Sequence, residues 1–526
     1  MQFNLDVIDI IILVAYLVFI LWRGFSYVKT HDNAEDYFLA GRSLVWPLVG
    51  LSLFASNMSS SSLVGLAGSG YETGISVYSY EWMAAVVLII FAIFFLPFYL
   101  KTKVYTMPEF LEKRYDSKAR YYFSALTIIG NIGIDSAATL YAGALVIQII
   151  FPQFELWQSI FALAVISGLY TIAGGLKAVV FTDAFQAVIL LIGSIIITIL
   201  AFIKVGSWDA VFDVTPLRHF SIIQPVNDEF LPWPGLFTGV LLLGFYFWAT
   251  NQFIVQRALG AKDKKHGQWG ALFAGLLKLT VLFIMVFPGI FARVLYPDIE
   301  KANLVYPTLL FDLLPAGLLG LVLAGLLAAM MSSIDSALNS ASTLVTMDFV
   351  NKLKPNISSE GLMWTGRLVT FVFMILSAIW APQIDKFPTL WEYLQNALSY
   401  IAPPIVALFV VGVFWRRANH QGALAAIVTG VLGSVIFLIA SNTNLIPQIH
   451  FLYTTGILFL ICTFSIVVVS LLTPPPAEEK IKDITWSAKV FQNETKELNH
   501  LPFYKNYRVQ AVALMVLLIV ILVIFR

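Results

Sequence analysis

Charge is what this 526-residue chain has least of. Asp, Glu, Lys and Arg make up 12% of it, about half the roughly 25% of an ordinary globular domain, which excludes a mainly water-solvated surface. A net charge of +1 excludes bulk attraction to nucleic acid. A single cysteine, Cys462, sits in an apolar run and rules out a disulfide framework or a cysteine zinc site. The histidines (His31, His219, His266, His420, His450 and His500) all fall in predicted loops or at span ends. No buried Ser–His pair or histidine metal cluster therefore supports an enzyme. An Arg-rich voltage helix, a filter motif and an attached signalling domain are also lacking, which counts against a channel or a sensor. The first apolar segment has no basic n-region and no small-residue cleavage site, so it reads as a span and not as a signal peptide.

What the chain has instead is hydrophobicity: 59% of residues, with mean hydropathy +0.83. Fourteen apolar runs reach the roughly 20 residues needed to cross a bilayer, at 6–23, 45–70, 78–100, 121–151, 157–173, 178–203, 233–255, 267–292, 316–350, 361–381, 388–414, 421–441, 449–474 and 507–525. The expectation is an all-α polytopic membrane protein of about 14 transmembrane helices. With the N-terminus outside, 24 basic residues lie in inner segments, Arg257 among them, and 6 in outer ones. That bias puts both termini outside. The loops are short except for 204–232 outside and 475–506 inside; the latter opens with TPPPAEEK and reads as a cytoplasmic linker to the last span.

A charge at bilayer depth costs roughly 2.5–3.5 kcal/mol, so each survivor needs a partner or a function. Glu81, Asp135, Asp183, Lys278 and Asp335 are such residues. Glu81 and Lys278 read equally well as a structural ion pair, and Asp183 could be solvated at a span end. Ser332, Asp335, Ser336 and Asn339 form one polar helical stripe, and oxygen ligands suit a hard cation. Asn57 and the serines around it interrupt LFASNMSSSSLVGLAGSG at mid-depth. Five spans later, TNQ interrupts VLLLGFYFWATNQ. Interrupted helices in corresponding places of two repeats mark a transporter's binding site. The spans in 45–203 and in 233–414 number five each. Since five is odd, the second set is inverted relative to the first.

The segments YFLAGRS, LFASN, SYEW, YTMPEFLEKR, GGLKAVVFTD, LPWPG, NQFIVQR, MSSIDSALNSASTLVTMD and APPIVALFVVGVFWRR resemble the sodium:solute symporter family, in its sodium/glucose and sodium/myo-inositol cotransporter branch. The likeness runs from about residue 5 to about residue 474. Outer loops without cysteines or glycosylation sites resemble those of a bacterial member.

The resemblance implies a leucine-transporter-like five-plus-five inverted-repeat core. Residues 1–44 would form a leading helix and inner loop, 45–203 and 233–417 the two repeats, 418–474 two trailing helices and 507–526 the last helix. It implies sodium-coupled import of a hexose such as glucose or galactose, with myo-inositol or another polyol as the alternative and an organic acid behind both. No cofactor beyond the coupling Na+, no nucleic acid and no obligate protein partner is implied; the setting is the cell (inner) membrane. Carried over by position, one sodium would be held by Ala55, Met58, Ala329, Ser332 and Ser333. A second would lie among Asp183, Ser332, Asp335 and Ser336. Substrate would meet Asn57, Ser62, Glu81, Asp135, Phe247, Trp248, Lys278 and Gln395, behind a gate of Leu66, Tyr80, Trp391 and Phe247. Departures fall at Ser62 (usually Gln or His), Phe247 (usually Tyr), Gly244 (usually Asn or Thr) and Asp135 (usually Asn or Lys). Asp335 and SLLTPPP resemble the inositol branch.

Overall fold

A computed structural model describes the chain except residues 1–4, 27–33, 59, 152, 300, 387–389 and 444–448. Side chains within helices also fall outside the description at 20–21, 23–26, 34, 60–61, 145, 149–150, 169–175, 177–178, 303, 328–329, 332, 385–386, 390–396 and 441–442. Among the described residues nine helices are long and apolar enough to cross a membrane, and a further pair does so across a 46° bend. The chain is an integral, multi-pass membrane protein. The two runs that the sequence separates at 157–173 and 178–203 share one unbroken helical backbone, Leu156–Val205.

The helices that carry the site are α1 (Val7–Ser26), α2 (Trp46–Asn57), α3 (Ser60–Thr73), α4 (Ser79–Ile90), α5 (Leu156–Val205), α6 (Gln252–Leu259), α7 (Lys264–Val281) and α8 (Leu318–Leu344). The polar stretch behind Asn57 breaks a span, as the sequence predicts. α2 ends where Met58 takes φ −85°, ψ 78°, with its N–H on the carbonyls of Phe54 and Ala55. The TNQ interruption is the second break. Asn251 is extended (φ −66°, ψ 128°), and its side chain caps α6 by accepting from the Phe253 N–H. Broken backbone at membrane depth is tolerated only where protein or a cavity surrounds it. α2 packs on α7, α7 on α4, and α5 along α8. Small residues permit these close approaches: a Cβ on Gly50 would crowd the Gly270 carbonyl and the Phe273 ring.

Buried polar links pin the periphery. Asp9 of α1 accepts the backbone N–H groups of Gly317 and Gly320 at 2.7 Å, so a carboxylate meets the positive N-terminal end of α8. Asp348, fully buried, accepts from Thr106 (2.6 Å), Arg120 (2.7 Å) and Ser124. The stretch 475–506, expected as a linker, is folded and docked. Lys101 pairs with Asp483 at 2.7 Å, Lys264 with Glu494 at 3.1 Å, and the Trp486 N–H reaches the Val413 carbonyl. Arg257, placed by charge counting in a loop, is instead fully buried, because α6 continues past the break and carries it inward.

The long 204–232 loop is also docked. Its short 3-10 helix Leu217–Phe220 sits on the turn Gly74–Tyr78 between α3 and α4. Gly74 has φ +81°, and a side chain there would collide with the His219 backbone. Burial, helped by the Arg293 and Arg218 guanidiniums, pushes the His219 imidazole down to about 4.

Two outcomes follow from these links. Asp348→Ala leaves Arg120 buried with less counter-charge and is expected to destabilise the protein by about 3 kcal/mol; an unchanged unfolding temperature in detergent would show the link to be dispensable. The docked His219 binds fewer protons than a free histidine, so docking is strongest above the ordinary value of about 6.5 and weakens as pH falls through about 4. Hydrogen-exchange protection factors for residues 217–222 are therefore expected to fall between pH 7 and pH 5. Constant factors would contradict that assignment.

Candidate functional site

The two breaks face a cavity of about 200 Å³. Of the predicted substrate contacts, Asn57, Ser62, Glu81, Asp135, Phe247 and Trp248 all line it. Leu66, Tyr80 and Phe247, the predicted gate, line it as well. The side chains of Gln395 and Trp391 lie outside the described residues. Gly244, one of the departures, is also on the wall.

Lys278 takes a different position from the one expected of a direct ligand. It is fully buried on α7, and its ammonium donates to Glu81 Oε2 at 2.5 Å and to Asn57 Oδ1. Two of its three N–H donors are thereby committed, and the charge lies 5.2 Å from the Trp248 ring centroid and 5.6 Å from that of Phe54. The structure thus shows the ion pair of Glu81 and Lys278, and it places Glu81 on the cavity wall as well. The pair is structural, and its acid faces the cavity. It also ties the end of α2 to α4 and α7, so the break and the pair form one unit. Ser62 spans the break from the other side, donating to the Asn57 carbonyl at 3.0 Å.

Three of the residues named for a first cation, Ala55, Met58 and Ser333, lie at the same break. Ala55 and Met58 are buried there, and Ser333 Oγ on α8 lies 3.4 Å from the Ser56 carbonyl while also lining the cavity. A carbonyl has two lone pairs, so the Ala55 oxygen that caps α2 keeps acceptor capacity. The side chains of Ala329 and Ser332 lie outside the described residues. Hydroxyls and strained-end carbonyls are a hard-oxygen donor set, the chemistry that binds an alkali cation.

The residues named for a second cation gather one helix layer away. Asp183 on α5 is fully buried and accepts from Ser52 Oγ at 2.6 Å and Ser56 Oγ at 3.3 Å. Ser336 Oγ is 3.2 Å from Ser56 Oγ, and Asp335 beside it is fully buried. The solvated alternative for Asp183 is therefore excluded. Sequence reasoning missed the residue that completes this group, Arg257, whose Nη2 lies 3.4 Å from Asp183 Oδ2. It also missed Ser69 and Thr139 on the cavity wall. Thr139 follows Asp135 by four residues, one helical turn, and that spacing is the signal that could have found it.

Comparisons with known proteins give the family and the fold. The sodium:solute symporter family profile matches residues 37–430. The sodium/myo-inositol cotransporter 2 of Oryctolagus cuniculus is 38% identical, over 92% of this chain and 80% of its own length. The sodium/glucose cotransporter 4 of Danio rerio is 35% identical, over 94% and 83%, and the sodium/glucose cotransporter 1 of Mus musculus 36%, over 93% and 82%. Among solved structures, a Na+-coupled sialic acid symporter superposes with a TM-score of 0.78 at 24% identity, covering 89% of this chain and 99% of that one. A nucleobase-cation-symport-1 family transporter superposes at 0.58 and 13% identity, covering 86% and 98%. Both show the fold. With its profile matched from before the first break to beyond the second, this chain belongs to the sodium:solute symporter family.

Proposed function

We propose that the protein is a symporter, without enzymatic activity, that imports one small sugar or polyol with sodium by alternating access across the cell membrane. The observation that carries this reading is the cavity at two helix breaks, walled by Asn57, Glu81 and Trp248 and buttressed by Lys278. A cavity of about 200 Å³ lies below the roughly 300–1,000 Å³ of sites for drug-sized ligands, which suits one small solute such as a monosaccharide or cyclitol. Glu81 and Asn57 would hydrogen-bond hydroxyls, with Gln395 and Ser62 in the same role. Trp248 would lie against the sugar's C–H face, and Lys278 would keep Asn57 and Glu81 in place. A hexose such as glucose or galactose is one substrate. A myo-inositol-like cyclitol has equal support, since relatives named for both cargoes match this chain.

One sodium would bind at Ala55, Met58, Ala329, Ser332 and Ser333, and a second at Asp183, Ser332, Asp335 and Ser336. Each charge gains about 2.3 kcal/mol per 100 mV, and a tenfold gradient adds about 1.4 kcal/mol. Two ions then supply roughly 7 kcal/mol, enough for about 10⁵-fold accumulation, against a few hundredfold for one. The basic residues favour both termini on the outer side.

Proteoliposomes with an inward sodium gradient are expected to accumulate labelled glucose, galactose or myo-inositol, and to lose that accumulation without sodium. Failure with all three, in protein that still binds sodium, would move the substrate out of this class. Glu81→Gln keeps the shape but removes the charge. It is expected to weaken apparent substrate affinity by about 10- to 100-fold, one charge-assisted hydrogen bond. Unchanged affinity would remove Glu81 from the substrate site.

A further inference from the structure

Arg257 lies in a place where a membrane protein has little reason to put a guanidinium. It sits on α6, the eight-residue helix after the Asn251 break, and it is fully buried. Its Nη2 donates to Ser336 on α8 and lies 3.4 Å from Asp183 Oδ2 on α5. Nε donates to Ser52 Oγ on α2 at 3.1 Å, and Nη1 returns to the Phe253 carbonyl of its own helix. Ser52 Oγ in turn donates a hydrogen bond to Asp183 Oδ2 at 2.6 Å. A single side chain therefore joins α6 to α2, α5 and α8.

Asp183 and Ser336 are also half of the oxygen set proposed above for the second sodium. A guanidinium and a sodium ion cannot both be neutralised by Asp183 Oδ2. Each needs the same lone pairs, and two cations held that close in a low-dielectric interior repel strongly. A bare Asp183 would be an uncompensated charge at membrane depth, which is the situation Arg257 prevents.

We propose that Arg257 is a tethered competitor for the second sodium. In the arrangement described here the guanidinium neutralises Asp183, and a sodium ion entering that group displaces it from Asp183 and Ser336. Because α6 is short and begins at a break, losing those contacts removes its polar links to α5 and α8 together. Ion entry is thereby converted into movement of the half-helix next to the cavity. Arg257 acts through Asp183, so it is a positioning residue for coupling and not a ligand of the sugar. This inference rests on the two-sodium reading.

The test is the sodium dependence of substrate uptake into proteoliposomes by wild type, Arg257→Gln, Arg257→Lys and Asp183→Asn. Arg257→Gln removes the competing charge and is expected to lower the half-saturating sodium concentration about tenfold, the scale of one charge-assisted hydrogen bond. Half-saturation for substrate at saturating sodium stays unchanged. Arg257→Lys keeps the charge without the planar fork and is expected to fall between the two; it carries the same test if Arg257→Gln does not fold. A merely structural Arg257 would shift substrate and sodium dependence together, with no recovery in the Lys variant, and that result would overturn the proposal. An unchanged or higher sodium requirement in the Arg257 variants, with cooperativity lost in Asp183→Asn, would overturn the exchange alone. Wild-type sodium cooperativity in Asp183→Asn would remove the second sodium and the exchange with it.

Discussion

The physics of this structure turns on one constraint: inside lipid, a backbone N–H or C=O without a partner costs several kcal/mol. A helix meets that constraint automatically, and two spans here break it at Met58 and at Asn251. Everything near those breaks serves to make them affordable. Met58 N–H folds back onto the end of α2, Asn251 caps α6 with its own side chain, and Ser62 reaches across to the Asn57 carbonyl. Carbonyls that remain with acceptor capacity face a cavity. Ions and hydroxyls are the natural occupants of such positions, since they bring the hydrogen bonds or charge that lipid cannot.

The charged residues follow from the same constraint. Lys278 cannot stand alone at that depth, and neither can Glu81; together they form a pair that also grips Asn57 beside the first break. Arg257 and Asp183 make a second pair, reached through Ser52 and Ser336. The two pairs differ in what they face. Glu81 opens onto the cavity, whereas Arg257 and Asp183 have no exposed surface. One pair borders the cavity, and the other is enclosed within the protein.

Much of this was legible before any coordinates, for a specific reason. Polar residues in an apolar run need a reason to be there, so Asn57, Glu81, Asp135 and TNQ stand out; Asn57, Glu81 and Asp135 line the cavity and Asn251 forms a break. Two kinds of feature escaped. Arg257 follows an apolar stretch and precedes a basic loop, so charge counting assigned it to water; only the continuation of α6 past Asn251 turns it inward. The strip 475–506 is as polar as any linker, and its docking depends on partners such as Lys101, Lys264 and Val413 that are distant in sequence. Spacing reveals contacts within a helix, while contacts between helices must be seen.

The electrostatics of the cavity narrow its cargo further. Glu81 is balanced by Lys278, whose ammonium is committed to Glu81 and Asn57. Asp135 lines the same wall with no basic side chain paired to it among the described residues. Among the described residues the cavity therefore has acceptors to spare and no uncommitted basic side chain on its wall. A carboxylate-bearing cargo would meet repulsion there, while the hydroxyls of a polyol would meet acceptors. Sharing this fold with a sialic acid symporter does not alter that balance, because a fold positions a site and its side chains decide what binds. The sodium site proposed beside it would lend a positive charge to the same region when filled. Asp135 on the wall and a cation arriving beside it would be mutually favourable, so the proposed solute and ion sites would be coupled through charge as well as through the helix break between them.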